Sequence, residues 1–259
     1  MDKLKKQIDD LLQAAHLPLT ELQGINESIL KSYKLSIGNF LEIYPKEVEI
    51  YYVNPKGKFA YTDCNAQCLL DPRTNDEIWA LQSNRFGKLY IHRKGLGGMD
   101  ICLSSSEEYV LCCTIKAAII NGKEYWSQLN VRNAVLDILC TEEGVEANKE
   151  NRARWMERLN ESEAITLLSK RENAEEGIVY HLRRHGLRRR DKMVNLPLRS
   201  VMDIWNKKFL MNNVQKVNLY MNYHPNENIL EVLQKSGFRY IPTEIRTRYN
   251  IDKKTKLYE

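Results

Sequence analysis

The sequence predicts an α+β protein with a curved, antiparallel, barrel-like sheet in its first part and a helical, basic region in its second. Runs rich in β-branched and aromatic residues, bounded by Gly, Pro or Asn, fill residues 36–126, whereas helical spacing dominates beyond Glu143. Residues 1–145 carry 16 Lys and Arg against 19 Asp and Glu, and residues 146–259 carry 23 against 15. We therefore expect two regions, 1–145 and 146–259.

The elements of the first region can be placed from spacing and from turn residues. Apolar residues recur at helical spacing over 4–15, and a second helix is expected at 19–33. Asn121-Gly122 is a strong hairpin signal, so residues 123–126 should pair back on the strand before it, and a helix follows at 131–140. Strands are predicted at 36–44, 46–53, 88–93, 99–104 and 109–120.

The second region is predicted to be mainly helical. Two strands, 217–222 and 240–249, interrupt the helical pattern, and Gly237 suits a helix C-cap. Helices are predicted at 149–159, 161–171, 194–209 and 226–235.

Composition limits the class of protein. Hydrophobic residues make up 43% and charged residues 28% of the 259, which is an ordinary globular balance. No apolar run approaches the ~18 residues of a membrane span, and the polar N-terminus does not suit a signal peptide. We expect a cytoplasmic protein without a membrane segment, with six reduced cysteines. Cys64 and Cys68 lack a second ligand pair, so neither a metal site nor a cofactor is predicted.

The strand at 46–53 carries paired carboxylates. Alternate residues of a strand share a face, so Glu47, Glu49 and Tyr51 should project together, opposite Val48 and Ile50. The two carboxylates then lie roughly 7 Å apart and could activate a water molecule if bulk solvent is excluded. A strand with its polar face in solvent is the alternative.

Residues 87–102 predict two strands joined by a glycine-rich turn. Tyr90 and His92 share one face, and the turn presents Leu96 beside Arg93 and Lys94. An apolar side chain on a basic loop is suited to wedge between base steps while the cations hold phosphates. In the alternative, Leu96 folds back on the core.

Four sequence blocks together resemble the methylpurine (alkyladenine) DNA glycosylase family over residues 30–140. They are EVEIYY at 47–52, GKLYIH at 87–92, MDI at 99–101 and TIKAAIING at 114–122. The resemblance implies a single mixed α/β, barrel-like domain that flips a modified purine out of DNA and cleaves its glycosidic bond.

The resemblance also implies a role for each matching residue. Glu49 takes the position of the glutamate that activates water, and Tyr51 that of the aromatic residue that stacks on the flipped base. His92 replaces the second stacking tyrosine, Asp100 replaces the asparagine that reads the base edge, and Lys116 replaces a buried arginine. The intercalating tyrosine has no clear counterpart, and Leu96 is the candidate wedge. These departures make an altered substrate or a lost activity as credible as repair of alkylated purines.

A dense basic run follows in the second region. Six of the twelve residues 181–192 are Lys or Arg, enough to neutralise several phosphates and make binding sensitive to salt. A solvated loop, or pairing with the acidic residues 172–176, is the alternative. The predicted nucleic-acid contacts are Arg93, Lys94, Arg183, Arg184, Arg188, Arg189, Arg190 and Lys192.

Three functions remain open at this point. The first is a DNA N-glycosylase, for which DNA is the expected partner. The second is a non-catalytic module on the same fold that binds nucleic acid or a protein, and the third is an enzyme acting on a small nucleoside or nucleotide. A closed pocket joining Glu49, Tyr51, His92 and Asp100 favours an enzyme, whereas filling by Tyr52, Phe59 or Trp79 favours the binding module.

Overall fold

The computed structural model describes residues 3–70, 73–93, 97–161, 166–184, 187 and 195–258. Over those residues the chain forms one ten-stranded sheet and nine α-helices, which confirms the mixed α/β class. The helices are α1 Lys3–Gln13, α2 Leu19–Ser32, α3 Gln67–Leu70, α4 Asn75–Gln82, α5 Gln128–Glu142, α6 Lys149–Glu161, α7 Asn213–Tyr223, α8 Ile229–Lys235 and α9 Thr243–Arg248. The strands are β1 Tyr33–Ile37, β2 Leu41–Asn54, β3 Tyr61–Thr62, β4 Leu89–Ile91, β5 Met99–Cys102, β6 Val110–Ile120, β7 Lys123–Trp126, β8 Thr166–Lys170, β9 Tyr180–Leu182 and β10 Arg199–Val201.

The long strand β2 organises the sheet. Along one edge it pairs antiparallel with β6 over almost its whole length. Along the other edge it pairs with β1 at its start, with β10 over Glu47–Glu49 and with β3 at its end. The strands predicted at 36–44 and 46–53 are therefore wrong in their boundary, because the chain turns at Gly38 (φ +57°) and β2 then continues through Pro45. The register shift between Pro45 and Glu47 accommodates a residue that has no N–H to donate.

The sheet is curled, as the sequence predicts. Its strand order is β4-β5-β6-β2-β1-β8, and the two outer strands approach each other. The Leu89 N–H of β4 donates to Thr166 Oγ1 of β8 (3.3 Å). The buried Asn160 of α6 bonds both backbone groups of Ile91, accepting from its N–H (2.7 Å) and donating to its carbonyl oxygen (3.0 Å). Side chains therefore satisfy an outer edge that would otherwise expose backbone groups.

The two faces of the sheet differ in the way the alternation predicts. Val48, Ile50 and Tyr52 lie in the main hydrophobic core, which also buries apolar residues of α1, α2, α5 and α6. Tyr51 packs on the other face, against a smaller cluster that includes Cys112 and residues of α3 and α4. Burying both faces of β2 means that its polar side chains must find partners inside the protein.

The chain divides into two compact units, 1–202 and 203–259. This boundary differs from the one expected after residue 145. Beyond that point β8 pairs with β1, and β10 pairs with β2 and β9, so these strands belong to the sheet of the first unit. The helices predicted at 161–171 and 194–209 are wrong, because strand pairing at 166–170 and 199–201 overrides the local helical spacing.

The second unit, 203–259, is a small helical body. Residues 217–222 and 240–249, predicted as strands, form most of α7 and α9, and Val217 and Met221 are buried one turn apart on α7. The C-cap at Gly237 is confirmed: its φ is +76°, and the next N–H donates to Leu233 O (3.1 Å). The unit carries 10 Lys and Arg against 6 Asp and Glu.

A buried hydrogen-bonded chain joins α2 to β10 and β9. Asn26 Nδ2 donates to Ser200 Oγ (3.0 Å), and Ser200 Oγ lies 2.8 Å from His181 Nδ1. The Ser200 hydroxyl therefore has its own proton to donate to a neutral His181 ring. Burial lowers the pKa of His181; the charge of Lys31 acts in the same direction and that of Glu27 in the opposite one.

We predict that His181 makes the protein less stable in mild acid. The unfolded histidine binds a proton near pH 6.5, whereas the buried ring binds one only at lower pH. Stability is then unaffected well above that pH and falls as the pH drops through it, by at most about 1.4 kcal/mol per pH unit. Urea unfolding of wild type and His181→Gln between about pH 7.5 and 5.5 measures this. The same pH dependence in both proteins would contradict it.

Candidate functional site

A row of polar side chains crosses the sheet on the face opposite the main core. The strand register sets Tyr90 opposite Asp100, Asp100 opposite Thr114, and Thr114 opposite Glu49. Residues directly opposite each other in a sheet share a face, so these four side chains form one line across β4, β5, β6 and β2. We call this surface and its immediate neighbours the polar face. Its members are Glu47, Glu49, Tyr51, Tyr90, His92, Asp100, Thr114 and Lys116.

Glu49 lies at the centre of the polar face and is almost completely buried, with 1% of its surface exposed. The Tyr51 hydroxyl donates to Glu49 Oε1 (2.5 Å), and Lys116 Nζ lies 3.0 Å from Oε2. Lys116 is also held by Gln128 Oε1 of α5, to which it donates (2.7 Å). One phenol and one ammonium thus fix both carboxylate oxygens, and each oxygen keeps a second lone pair for a further donor.

The local fold explains how Lys116 meets Glu49. In the ladder between β2 and β6, Val48 is opposite Ile115 and Glu47 is opposite Ala117, so Lys116 is the extra residue of a register shift. Such irregularities re-aim a side chain and are frequent beside active sites. Glu49, Tyr51 and Lys116, which the resemblance grouped, do lie together.

Tyr51 is a donor whose ring is covered on one side. Burial, followed by the charge of Glu49, raises the pKa of Tyr51 well above its ordinary value, so the phenol keeps its proton at neutral pH. The Arg184 guanidinium lies 5.0 Å from the ring centroid and pairs with Asp63. Arg184 is only 3% exposed. This differs from the surface position expected of a phosphate contact, and the reason is that Arg184 balances a buried carboxylate.

Asp100 forms a second cluster on the polar face. Gln82 Nε2 of α4 donates to Oδ2 (2.7 Å), and Thr114 Oγ1 donates to Oδ1 (2.6 Å). His92 Nε2 lies 2.9 Å from Oδ2, while its Nδ1 accepts from Gly98 N (3.3 Å), so a neutral His92 carries its proton on the nitrogen that faces Asp100. His92 and Asp100, both predicted site residues, are therefore adjacent.

Tyr51 and His92, in contrast, are not neighbours on the polar face. Strands β6 and β5 lie between β2, which carries Tyr51, and β4, which is followed by His92. At about 4.8 Å per strand, the two positions are roughly 14 Å apart in the direction across the strands. The resemblance implied that Tyr51 and His92 stack on the two sides of one base. At this separation, a base stacked on Tyr51 does not contact His92. His92 instead contacts the Tyr90 ring, with centroids 5.6 Å apart, which confirms that these two share a face.

Several members of the site escaped sequence reasoning. Gln82, Asp63 and Gln128 come from segments that the four blocks do not include, and nothing in their spacing points to the residues they contact. Glu47, the second carboxylate of β2, pairs with Arg199 of β10 (2.5 Å), and burial raises the pKa of this carboxyl. A prediction of β10 beside β2 would have found that pair.

The predicted nucleic-acid contacts fall into three groups. Arg93 is partly exposed and pairs with Glu77 of α4, and Arg183 is exposed. Arg184 is buried, as described above. The remaining predicted contacts, together with the candidate wedge, lie outside the described residues: Lys94, Leu96, Arg188, Arg189, Arg190 and Lys192.

Three further properties of the described residues concern the cysteines, the groups of possible metal ligands and the helices. The six cysteines, all among the described residues, are thiols and not disulfides, and burial raises the pKa of Cys68 to about 12. Among the described side chains, no group of three His, Cys, Asp or Glu residues could hold a metal ion. Of the helices in that part of the chain, none is long and apolar enough to cross a membrane.

No family model matches the sequence, and no curated protein matches it. The geometry of the polar face is therefore the observation from which a function can be inferred.

We predict that breaking the Arg184–Asp63 pair is costly. Arg184→Met leaves a buried carboxylate without its cation, which should lower the free energy of unfolding by about 3–5 kcal/mol, whereas the double variant Arg184→Met/Asp63→Leu should recover most of it. The matched control is Arg154→Met, which breaks a surface pair with Glu143 and should cost no more than about 1 kcal/mol. Equal losses in urea unfolding for the two single variants would contradict the prediction.

Proposed function

We propose that the protein is a DNA N-glycosylase that removes a modified purine with a water molecule activated by Glu49. The observation that carries the proposal is the state of Glu49: a carboxylate 1% exposed, held on both oxygens by Tyr51 and Lys116, with a lone pair left on each. A general base must be fixed in position and still have an acceptor site for the proton of water.

The chemistry asked of these residues is limited. The water oxygen bonds to the anomeric carbon as the carbon–nitrogen bond breaks, the electrons of that bond leave with the purine, and the water proton goes to Glu49. An alkylated purine is already a good leaving group, so one positioned base suffices. The Lys116 ammonium stays beside Glu49 and keeps the carboxylate oriented towards the water.

Recognition of the base would then rest on Tyr51. A base inside duplex DNA must be flipped out to be reached, and stacking on an aromatic ring compensates for the lost stacking. Arg184 covers one side of the Tyr51 ring, and the side chain remains partly exposed, so the base would use the uncovered side. Arg183 precedes Arg184 in the sequence and is exposed, and we propose that it contacts the DNA backbone.

A specific observation favours a second candidate, a non-catalytic module that binds nucleic acid. Each buried carboxylate described on and beside the polar face already has a donor within the protein: Arg199 for Glu47, Lys116 and Tyr51 for Glu49, Arg184 for Asp63, and Gln82 and Thr114 for Asp100. A fully satisfied polar cluster also serves to rigidify a structure.

Base release from duplexes that contain alkylated or deaminated purines separates the two candidates. We expect release by the wild type and a loss of about 10²- to 10⁴-fold in Glu49→Gln, which keeps the shape of the side chain but cannot accept the proton. Glu42→Gln, on the same strand but 45% exposed and paired with Lys34, is the matched control and should release the base normally.

Two results would overturn the glycosylase proposal. One is undiminished release by Glu49→Gln, which would remove Glu49 from the mechanism. The other is no release by the wild type from any of these duplexes while both proteins bind DNA with the same steep salt dependence, which is the behaviour of the binding module.

A further inference from the structure

The second unit contains a pocket with aromatic walls, separate from Glu49 in the chain. It encloses about 290 Å³, close to the low end of the ~300–1,000 Å³ typical of small-molecule sites. All of its lining residues come from 203–259: Trp205, Tyr220, Glu227, Val232, Lys235 and Ser236. Its size suits one planar group rather than a large ligand.

Trp205 and Tyr220 form the aromatic part of the pocket. Their ring centroids are 5.7 Å apart and the planes are tilted by 54°. Tyr220 is held in place by its stacking on His224 (4.1 Å, 17°) and by its hydroxyl, which donates to Glu227 Oε1 (2.8 Å). Trp205 keeps 37% of its surface exposed, so its ring can be reached from solvent.

An exposed lysine at the pocket and the basic balance of the unit suit an anionic group beside the pocket. The only carboxylate among the lining residues, Glu227, is engaged by the Tyr220 hydroxyl and lies 3.4 Å from His224 Nδ1. Lys235, the cation among the lining residues, has a side chain that is 72% exposed. Its Nζ lies 4.0 Å from Glu231 Oε2, and a surface ion pair of this kind contributes little free energy. Lys207 and Lys208, both exposed, lie two and three residues after Trp205, in a unit with 10 basic against 6 acidic residues.

We propose that this pocket binds one base of a single-stranded nucleic acid. The base would stack on Trp205, with the tilted Tyr220 ring against its edge, and Lys235 would pair with a neighbouring phosphate. Proteins that bind single strands combine an aromatic stacking surface with cations that follow the backbone, and both are present here. A base inside a duplex has its faces covered by its neighbours, so the pocket should prefer single strands. This site is independent of Glu49 and of the glycosylase proposal.

Fluorescence anisotropy with a fluorescein-labelled oligothymidylate tests the stacking surface. This strand carries no stable secondary structure, so its bases are free to enter the pocket. Trp205→Ala should weaken binding about 5- to 150-fold, which corresponds to the loss of one stacked base. Tyr240→Ala, which removes a 74% exposed aromatic residue of the same unit outside the pocket lining, is the matched control and should leave the affinity unchanged.

A second variant tests the phosphate contact at a side chain that does not contribute to the packing of the unit. Lys235→Gln changes a side chain that is mostly in solvent, and it should reduce the slope of log affinity against log salt by about 0.7, the value for one phosphate of a single strand. Both tests measure strand binding and not base release, so failure of the glycosylase proposal would leave their result intact.

The proposal would be overturned by no measurable binding of the strand by the wild type, by equal affinities for Trp205→Ala and Tyr240→Ala, or by a salt slope unchanged in Lys235→Gln. Tighter binding to a duplex of the same length would also overturn it, because a stacked duplex offers no free base.

Discussion

The burial of carboxylates on the second face of β2 is the constraint on which the rest of the first unit depends. Glu47 and Glu49 lie in the middle of a sheet with apolar residues packed on its other face, and a buried carboxylate is tolerated only with a cation or several donors beside it. The chain meets this need from distant segments, with Lys116 from β6, Arg199 from β10 and Arg184 from the basic run. Residues beyond 145 join the first unit, which extends to residue 202, through the pairing of β8 with β1 and of β10 with β2, and the Arg199 and Arg184 pairs add to these contacts.

The same pairs give the polar face a rigid arrangement, which an active site needs and a binding surface can also use. Tyr51 connects Glu49 to the Arg184–Asp63 pair, since its hydroxyl donates to Glu49 and its ring lies under Arg184. A substrate that stacks on Tyr51 would therefore be placed beside Glu49 without any rearrangement of the sheet. Preorganisation of this kind is the main contribution that a protein scaffold makes to a hydrolytic step.

Local spacing predicts much of this fold because much of it is local. Apolar spacing and turn residues, which involve only residues close in the sequence, predict the first helices, the hairpin at Asn121-Gly122 and the two faces of β2. β8 and β10 could not be predicted in that way, since they are strands only by virtue of pairing with β1 and β2. In the site, the Glu49–Tyr51 contact follows from the alternation of side chains along a strand. The Asp63–Arg184 pair joins residues 121 positions apart, and no local spacing predicts it. Arg184 could not be recognised as buried from the sequence, because it lies in a run of basic residues and no spacing distinguishes it from its neighbours.

The most direct measurement of the central claim, that Glu49 and Lys116 form a buried pair on the polar face, is a double-mutant cycle. The free energy of unfolding would be measured by urea titration for wild type, Glu49→Gln, Lys116→Met and the double variant. We predict that the single losses are not additive and that the two residues are coupled by about 1–3 kcal/mol, as expected of a charged pair in contact and shielded from water. Losses that add within about 0.3–0.5 kcal/mol would show that the side chains act independently, and would contradict both the described geometry and the role proposed for Glu49.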